Sequence, residues 1–263
     1  PSTAKLVSEV QSFCQQEYER IYQRHRFGIS GREIVQEYTR LADNVIHRII
    51  RQAKQEGILS EEYPLVILAL GGYGREELSR HSDIDIMLVY NLRSDQTQLE
   101  AFASQLITVL WDIGFDVGHI CRSIRECVQV TQNDLFSKTS MLEARYITGN
   151  KQVYREYKRV TSKLLFKRQV NRFISQKIQD WNDRHEAYGS TIYLQEPNIK
   201  ESVGGLRDFH TAIWISVVRY GLSKIDELYQ RQIIPLTVYE PTVEAIDFML
   251  RLRNELHLLN RQQ

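Results

Sequence analysis

LVILALGGYGREELSRHSDIDIMLVY, residues 65–90, holds two apolar runs, a double glycine between them and a pair of aspartates at the head of the second run. Residues 65–70 are short, apolar and partly β-branched, with Pro64 in front and Gly71-Gly72 behind. That predicts a buried strand ending where only glycine lets the backbone bend sharply. Residues 83–90 predict a second strand, and its opening Asp83-Ile84-Asp85-Ile86 puts both carboxylates on one face, roughly 7 Å apart at the Cα atoms. Two acids heading an otherwise apolar strand are costly to bury without a compensating charge, and a divalent cation is the usual one.

Working outward, residues 73–79 predict a short helix between the two strands. Residues 95–111 predict a longer helix with Leu99, Phe102, Leu106, Ile107 and Leu110 on one face, and residues 115–121 a third strand. Strand, helix, strand, helix, strand makes a small α/β layer. Upstream, residues 1–60 read as two helices broken near 28–31, the second carrying Leu41, Val45, Ile46, Ile49 and Ile50 at helical spacing. Ser30, three residues before Glu33, is its expected N-cap. Downstream of Ile124 the pattern is helical to Gln263 apart from one loop, residues 195–205, which carries Pro197 and Gly204-Gly205. Arg145 is expected in the last turn of a helix that ends at Gly149-Asn150, there to cap carbonyls or pair with an acid.

Composition bounds the class. With 263 residues and 42% hydrophobic side chains the chain can bury a real core. A formal charge of +1 gives no global attraction for nucleic acid or an anionic membrane. Three cysteines, Cys14, Cys121 and Cys127, without CxxC spacing, fit a reducing cytoplasm better than a disulfide framework or a zinc site. There is no apolar run long enough to span a bilayer and no apolar signal-peptide core. The chain begins at Pro1 rather than Met, as expected of a piece of a longer protein.

The central stretch suits phosphates. Gly71 and Gly72 leave N–H groups open to an anion, the helix start adds its positive end, and Ser82 supplies a hydroxyl. Asp83 and Asp85 then serve as ligands for Mg²⁺, with Mn²⁺ as the alternative, bridging the phosphates of a nucleotide during an in-line displacement. A glycine pair alone marks an ordinary turn, and one aspartate at a strand start is usually a solvated end. Strand, GG, a helix-length spacer, Ser and Asp-x-Asp together form a specific arrangement. It is neither a Walker loop, since no Gly-Lys-Ser/Thr follows, nor a GxGxxG fingerprint.

GGYGREEL (71–78) followed by HSDID (81–85) resembles the nucleotidyltransferase superfamily with the DNA polymerase β fold, and more narrowly the N-terminal part of the bacterial PII uridylyltransferases. GREIV (31–35), LWDIG (110–114), VGH (117–119), LEAR (142–145), EPNIKE (196–201) and GGLRD (204–208) resemble further segments of that family in the same order. The glutamine synthetase adenylyltransferases share the GGLRD pattern. The resemblance implies an α+β fold: N-terminal helices over 1–60 packing on a core, a catalytic domain with a small mixed sheet over 61–125, and an all-helical module over 126–263.

It further implies an Mg²⁺-dependent transfer of UMP from UTP to a tyrosine of a small PII-type nitrogen-signalling protein, in the cytoplasm, with pyrophosphate leaving. Carried over position by position, Gly71, Gly72, Arg75, Ser82, Lys200 and Arg207 bind the nucleotide, and Asp83 and Asp85 hold the metal. Asp116, the one acid of the third strand, is the expected third ligand and shares a face with Gly118 rather than His119; Glu143 is the weaker substitute. Asp208 either touches the nucleotide or pairs with an arginine to hold its loop. Members of this family also carry a phosphohydrolase domain, and no His-Asp dipeptide occurs here. Two other readings stay open. One is transfer of another nucleotide, such as AMP, or to another acceptor, because glycine loop and metal meet only phosphates. The other is a nucleotide-binding sensor without turnover.

Overall fold

In a computed structural model the chain is described over residues 3–91, 96–167, 170–189 and 191–260. Two long helices come first, α1 (Thr3–Arg26) and α2 (Gly31–Gln55). Ser30 caps α2 as expected, its Oγ accepting the Glu33 N–H at 3.2 Å. The apolar face read from the sequence is the buried one, with Leu41, Val45, Ile46, Ile49 and Ile50 all inside. Glu37 of α2 lies buried against Arg20 at 2.9 Å and Arg24 at 2.7 Å, which ties the two helices together.

The central stretch folds as β1 (Leu65–Ala69), a four-residue helix α3 (Gly71–Gly74) and β2 (Ile84–Tyr90). The expected helix over 73–79 is thus earlier and shorter. Glu76 takes a left-handed backbone, φ 64°, which no helix continues through. The next helix, α4, covers Gln96–Ile113, and residue 95, where it was expected to begin, lies outside the described residues. The third strand, β3, is Val117–Ser123, two residues later than expected because Gly114, φ 103°, and the following pair form the turn.

One expectation fails. Residues 145–149 are not a helix end but a strand, β4 (Arg145–Gly149), antiparallel to β1. Its sequence RYITG is too short to show a period, and its aromatic and β-branched residues complete an edge of β1 that would otherwise lack partners. The sheet order is β3-β2-β1-β4, with β1–β2 antiparallel and β2–β3 parallel, so the sheet is small and mixed.

Alternation along the strands separates two cores. Leu65, Ile67, Ile84, Ile86 and Leu88 pack under α1, α2 and α4. Val66, Leu68, Met87 and Val89 pack on the other face against Cys127, Met141 and Tyr157, from α5 (Ile124–Asn133), α6 (Leu135–Leu142) and α7 (Lys151–Lys167). Among the described residues the remaining elements are all helices: α8 (Val170–Ala187), α9 (Leu206–Tyr220), α10 (Ile225–Gln230) and α11 (Leu236–Asn260). Phe173 joins Trp214 and Val218 between α8 and α9. Helix α11 folds back on α2: Ile246 and Leu250 meet Val35, and Asp247 accepts the Arg32 N–H at 3.0 Å. Among the described residues no helix is long and apolar enough to cross a membrane.

Candidate functional site

The strand ends decide where the site lies. The alternation that puts Met87 and Val89 beneath α5 to α7 puts Asp83 and Asp85 on the same face, beyond the point where those helices cover it. β1 ends there at Ala69, β2 and β3 begin there, and α3 starts at Gly71, so three strand ends and the α3 turn frame a cleft. Two connected hollows open from it. One, of about 620 Å³, runs from Gly71, Gly72 and Asp85 past Gly118 to Lys200 and Trp214. A smaller one, of about 100 Å³, lies between Gly72, Ser82, Asp83, Asp85 and Lys200.

Two glycines are required by geometry at this point. Gly71 has φ +54°, and a Cβ there would sit 3.0 Å from Asp85 Oδ2. A Cβ on Gly118 would lie 2.4 Å from Asp85 Oδ1, so any other residue would push the carboxylate aside. At the start of α3 the cap position is Leu70, which has no side chain to satisfy the first N–H groups. Gly71 and Gly72, which carry the first two of them, line the cleft, and N–H groups left without a cap at a helix start suit an anion.

Asp85 is solvent-accessible at the floor of the cleft, yet its carboxyl is raised above the ordinary carboxylate range, by loss of water around it first and by neighbouring Asp83 second. Two like charges held together in this way suit a divalent ion. Among the described residues no three His, Cys, Asp or Glu side chains are grouped to hold a metal. Mg²⁺ is commonly bound by one or two acids plus substrate phosphates, a donor set that the neighbouring Asp83 and Asp85 could supply. Asp116 precedes β3. Its carbonyl accepts the Ile84 N–H at 2.8 Å, and the register pairing Ile84 with Val117 carries back to Asp83 beside Asp116. Its side chain is exposed and lines neither hollow.

The other expected residues divide by what already holds them. Arg75 forms one wall, with Nε 2.8 Å from Glu77 and Nη1 bonded to Glu143. Glu143 also accepts the Trp214 indole N–H at 2.6 Å. Both the arginine and this acid are thus committed to each other. Burial opposes charge on Glu77 and on His210, whose Nε2 is 2.8 Å away; His210 and then Arg75 overcome that at Glu77 and hold its carboxyl below the usual carboxylate range, while burial holds His210 below the ordinary imidazole range. Arg207 pairs with Glu201 through two nitrogens, at 3.0 and 3.3 Å, and lies over the Trp214 ring. Arg145 binds Asp43 through two bonds of 2.9 and 3.0 Å, so the acid-pairing expectation holds even though its helix does not.

Lys200 is freer. Its nearest acid oxygen, on Glu201, is 3.9 Å away, and burial together with Arg207, Arg253 and Arg75 pushes its ammonium below the usual lysine range. It lines both hollows. The loop that carries it is internally tied: Asn198 Oδ1 accepts the N–H groups of Lys200 and Glu201, each at 3.0 Å. Asp208 clasps the loop base, accepting from Arg184 at 2.6 Å and from the Gly204 N–H at 2.7 Å, with His185 Nε2 2.9 Å away. Burial works against its charge, and these bonds overcome that and hold its carboxyl below the usual range. Of the two roles open to Asp208, the structure displays the clasp.

Residues 172–263 match the family model described as GlnD PII-uridylyltransferase, and residues 16–127 match the nucleotidyltransferase family DUF294. Among curated proteins, a bifunctional uridylyltransferase/uridylyl-removing enzyme of Hydrogenovibrio crunogenus is 34% identical over 235 residues, which is 89% of this chain and 26% of that one. The enzyme of the same name from Aliivibrio fischeri is 35% identical over 230 residues, 86% of this chain and 25% of that one. That of Caulobacter vibrioides is 33% identical over 193 residues, 73% and 20%. The chain thus spans about a quarter or less of the length of these relatives.

Proposed function

We propose that this chain, related in both its halves to the PII uridylyltransferases, is the nucleotide-transferring part of such an enzyme. It moves UMP from UTP to a tyrosine of a PII-type signalling protein. The observation that carries this reading is the pairing of Asp83 and Asp85 on one face of β2, opposite the uncapped start of α3 and beneath Lys200. Carboxylates for a cation, backbone donors and a lysine for phosphate oxygens converge on a space open to a nucleotide.

In this reading the tyrosine oxygen bonds to the α-phosphorus, the bond to the β-phosphate oxygen breaks, the phenolic proton passes to water, and pyrophosphate leaves. A divalent ion held by Asp83 and Asp85 supplies charge neutralisation across the phosphates. The N–H groups of Gly71 and Gly72, the Ser82 hydroxyl and Lys200 hold the phosphate oxygens. Arg75 and Arg207, already paired with acids, act as charged walls, and Asp116 stands at the rim beside Asp83. A reducing cytoplasm suits Cys14, Cys121 and Cys127, all of which are unbridged.

The test is transfer of label from [α-³²P]UTP to a PII-type protein in the presence of Mg²⁺. Label should appear on the acceptor with the wild-type chain and disappear with Asp83→Asn combined with Asp85→Asn. Undiminished transfer by that variant, or transfer from ATP in preference to UTP, sinks the reading.

A further inference from the structure

Arg253, on α11, lies far along the chain from the cleft motif and belongs to no motif singled out in the sequence. Its guanidinium nevertheless enters the small hollow beside Ser82. Its contacts there are neutral and long: Nη1 donates to the Glu77 carbonyl at 3.4 Å and Nη2 to Ser82 Oγ at 3.3 Å. The Glu77 carboxylate, the acid that acts on it most strongly, is given over to Arg75 and His210. Among the described residues no carboxylate lies within ion-pairing distance of Arg253, whereas Arg75, Arg145 and Arg207 each have one at 3.0 Å or less. Burial, with Arg75 and Arg207 nearby, pulls the Arg253 guanidinium below its usual range.

A charge withdrawn from water without a countercharge is costly, and a guanidinium fork is shaped for a pair of phosphate oxygens. The hollow in front of it, at about 100 Å³, is small. It has the room of roughly three water molecules, enough for phosphoryl groups and too little for a base and ribose, which the 620 Å³ hollow accommodates. Ser82 and Lys200 face the same space.

We propose that Arg253 is the residue that grips the terminal phosphates of the nucleoside triphosphate, and with them the leaving pyrophosphate. This rests on the nucleotidyltransferase reading above. It makes α11, which is anchored on α2 through Asp247 and Arg32, part of the phosphate site.

The experiment is calorimetric titration of the wild-type chain, Arg253→Met and Arg253→Lys with UTP, UMP and inorganic pyrophosphate, all with Mg²⁺, alongside ligand-free melting. Losing a charge-assisted fork should weaken UTP and pyrophosphate roughly tenfold to hundredfold and change UMP less than about twofold. Arg253→Lys, which keeps the charge and loses the fork, should fold and show the same selective loss at smaller size. If wild type binds neither UTP nor pyrophosphate, the nucleotide reading itself falls. If wild type binds both, and either variant loses UTP and UMP equally or loses nothing, Arg253 is only a brace between α11 and the Ser79–Ser82 turn and this proposal is overturned.

Discussion

Replacing Glu143 by alanine should destabilise the fold without any dependence on metal. The Glu143 side chain is 7% exposed and that of Arg75 15%, and Trp214 donates to the same oxygen that Arg75 does. Removing the carboxylate strands half of a guanidinium and an indole N–H in a wall that water barely reaches; Arg75 retains only Glu77, at 2.8 Å. Breaking a buried pair from one side costs about 3–5 kcal/mol. At about 2–4 °C per kcal/mol for a chain of this size, melting should fall by about 6–20 °C. Glu143→Gln keeps the volume and an oxygen for Trp214, and should cost about 1–3 kcal/mol. Thermal melts and urea titrations, each in EDTA and in Mg²⁺, measure both. Were Glu143 instead a third metal ligand, removing it would relieve repulsion with Asp83 and Asp85, and Glu143→Ala would melt at or above wild type in EDTA. That result would refute the wall assignment.

Two further outcomes follow from the cleft and its loop. Gly118→Ala places a methyl where Asp85 Oδ1 now lies, 2.4 Å from the new carbon, so UMP transfer should drop by more than tenfold while circular dichroism stays unchanged; retained activity would mean the carboxylate has room to move. Asp208 has a folded-state pKa below its usual value near 3.8, so its clasp adds stability that is present above about pH 4 and is lost as pH falls below it toward the folded value. Asp208→Asn should flatten that acid limb in a pH series of melts and speed proteolysis within residues 198–205; an unaltered acid limb would contradict the clasp.

What the sequence disclosed is what is local. Strands β1 and β2 are apolar runs with glycine at one end and aspartates at the other, and the alternation of two residues is enough to put Asp83 and Asp85 on one face. Ser30 caps α2 because the bond spans three residues. The misses are matters of distance or of brevity. β4 is five residues long between helices, and its strand character comes from the open edge of β1 rather than from its own pattern. Glu143, 68 positions from Arg75, and Asp208, 24 positions from Arg184, meet those arginines only once the chain is packed, and Glu77, two residues from Arg75, is brought round to it by the turn after α3. Arg253 is separated from Ser82 by 171 positions, and no spacing rule reaches that far. An unremarkable arginine in a helix became visible only through its lack of an acid.

The central claim is that Asp83 and Asp85 hold a divalent ion on which the nucleotide's phosphates close. Calorimetric titration of UTP into the wild-type chain and into Asp83→Asn/Asp85→Asn, each with Mg²⁺ and with EDTA, tests it most directly. Wild type should bind UTP at least tenfold more tightly with Mg²⁺ than with EDTA, and the double variant should lose that metal-dependent gain while melting at or above the wild-type temperature in EDTA. Equal UTP affinity with and without Mg²⁺, or a metal-dependent gain that survives the loss of both carboxylates, would contradict it.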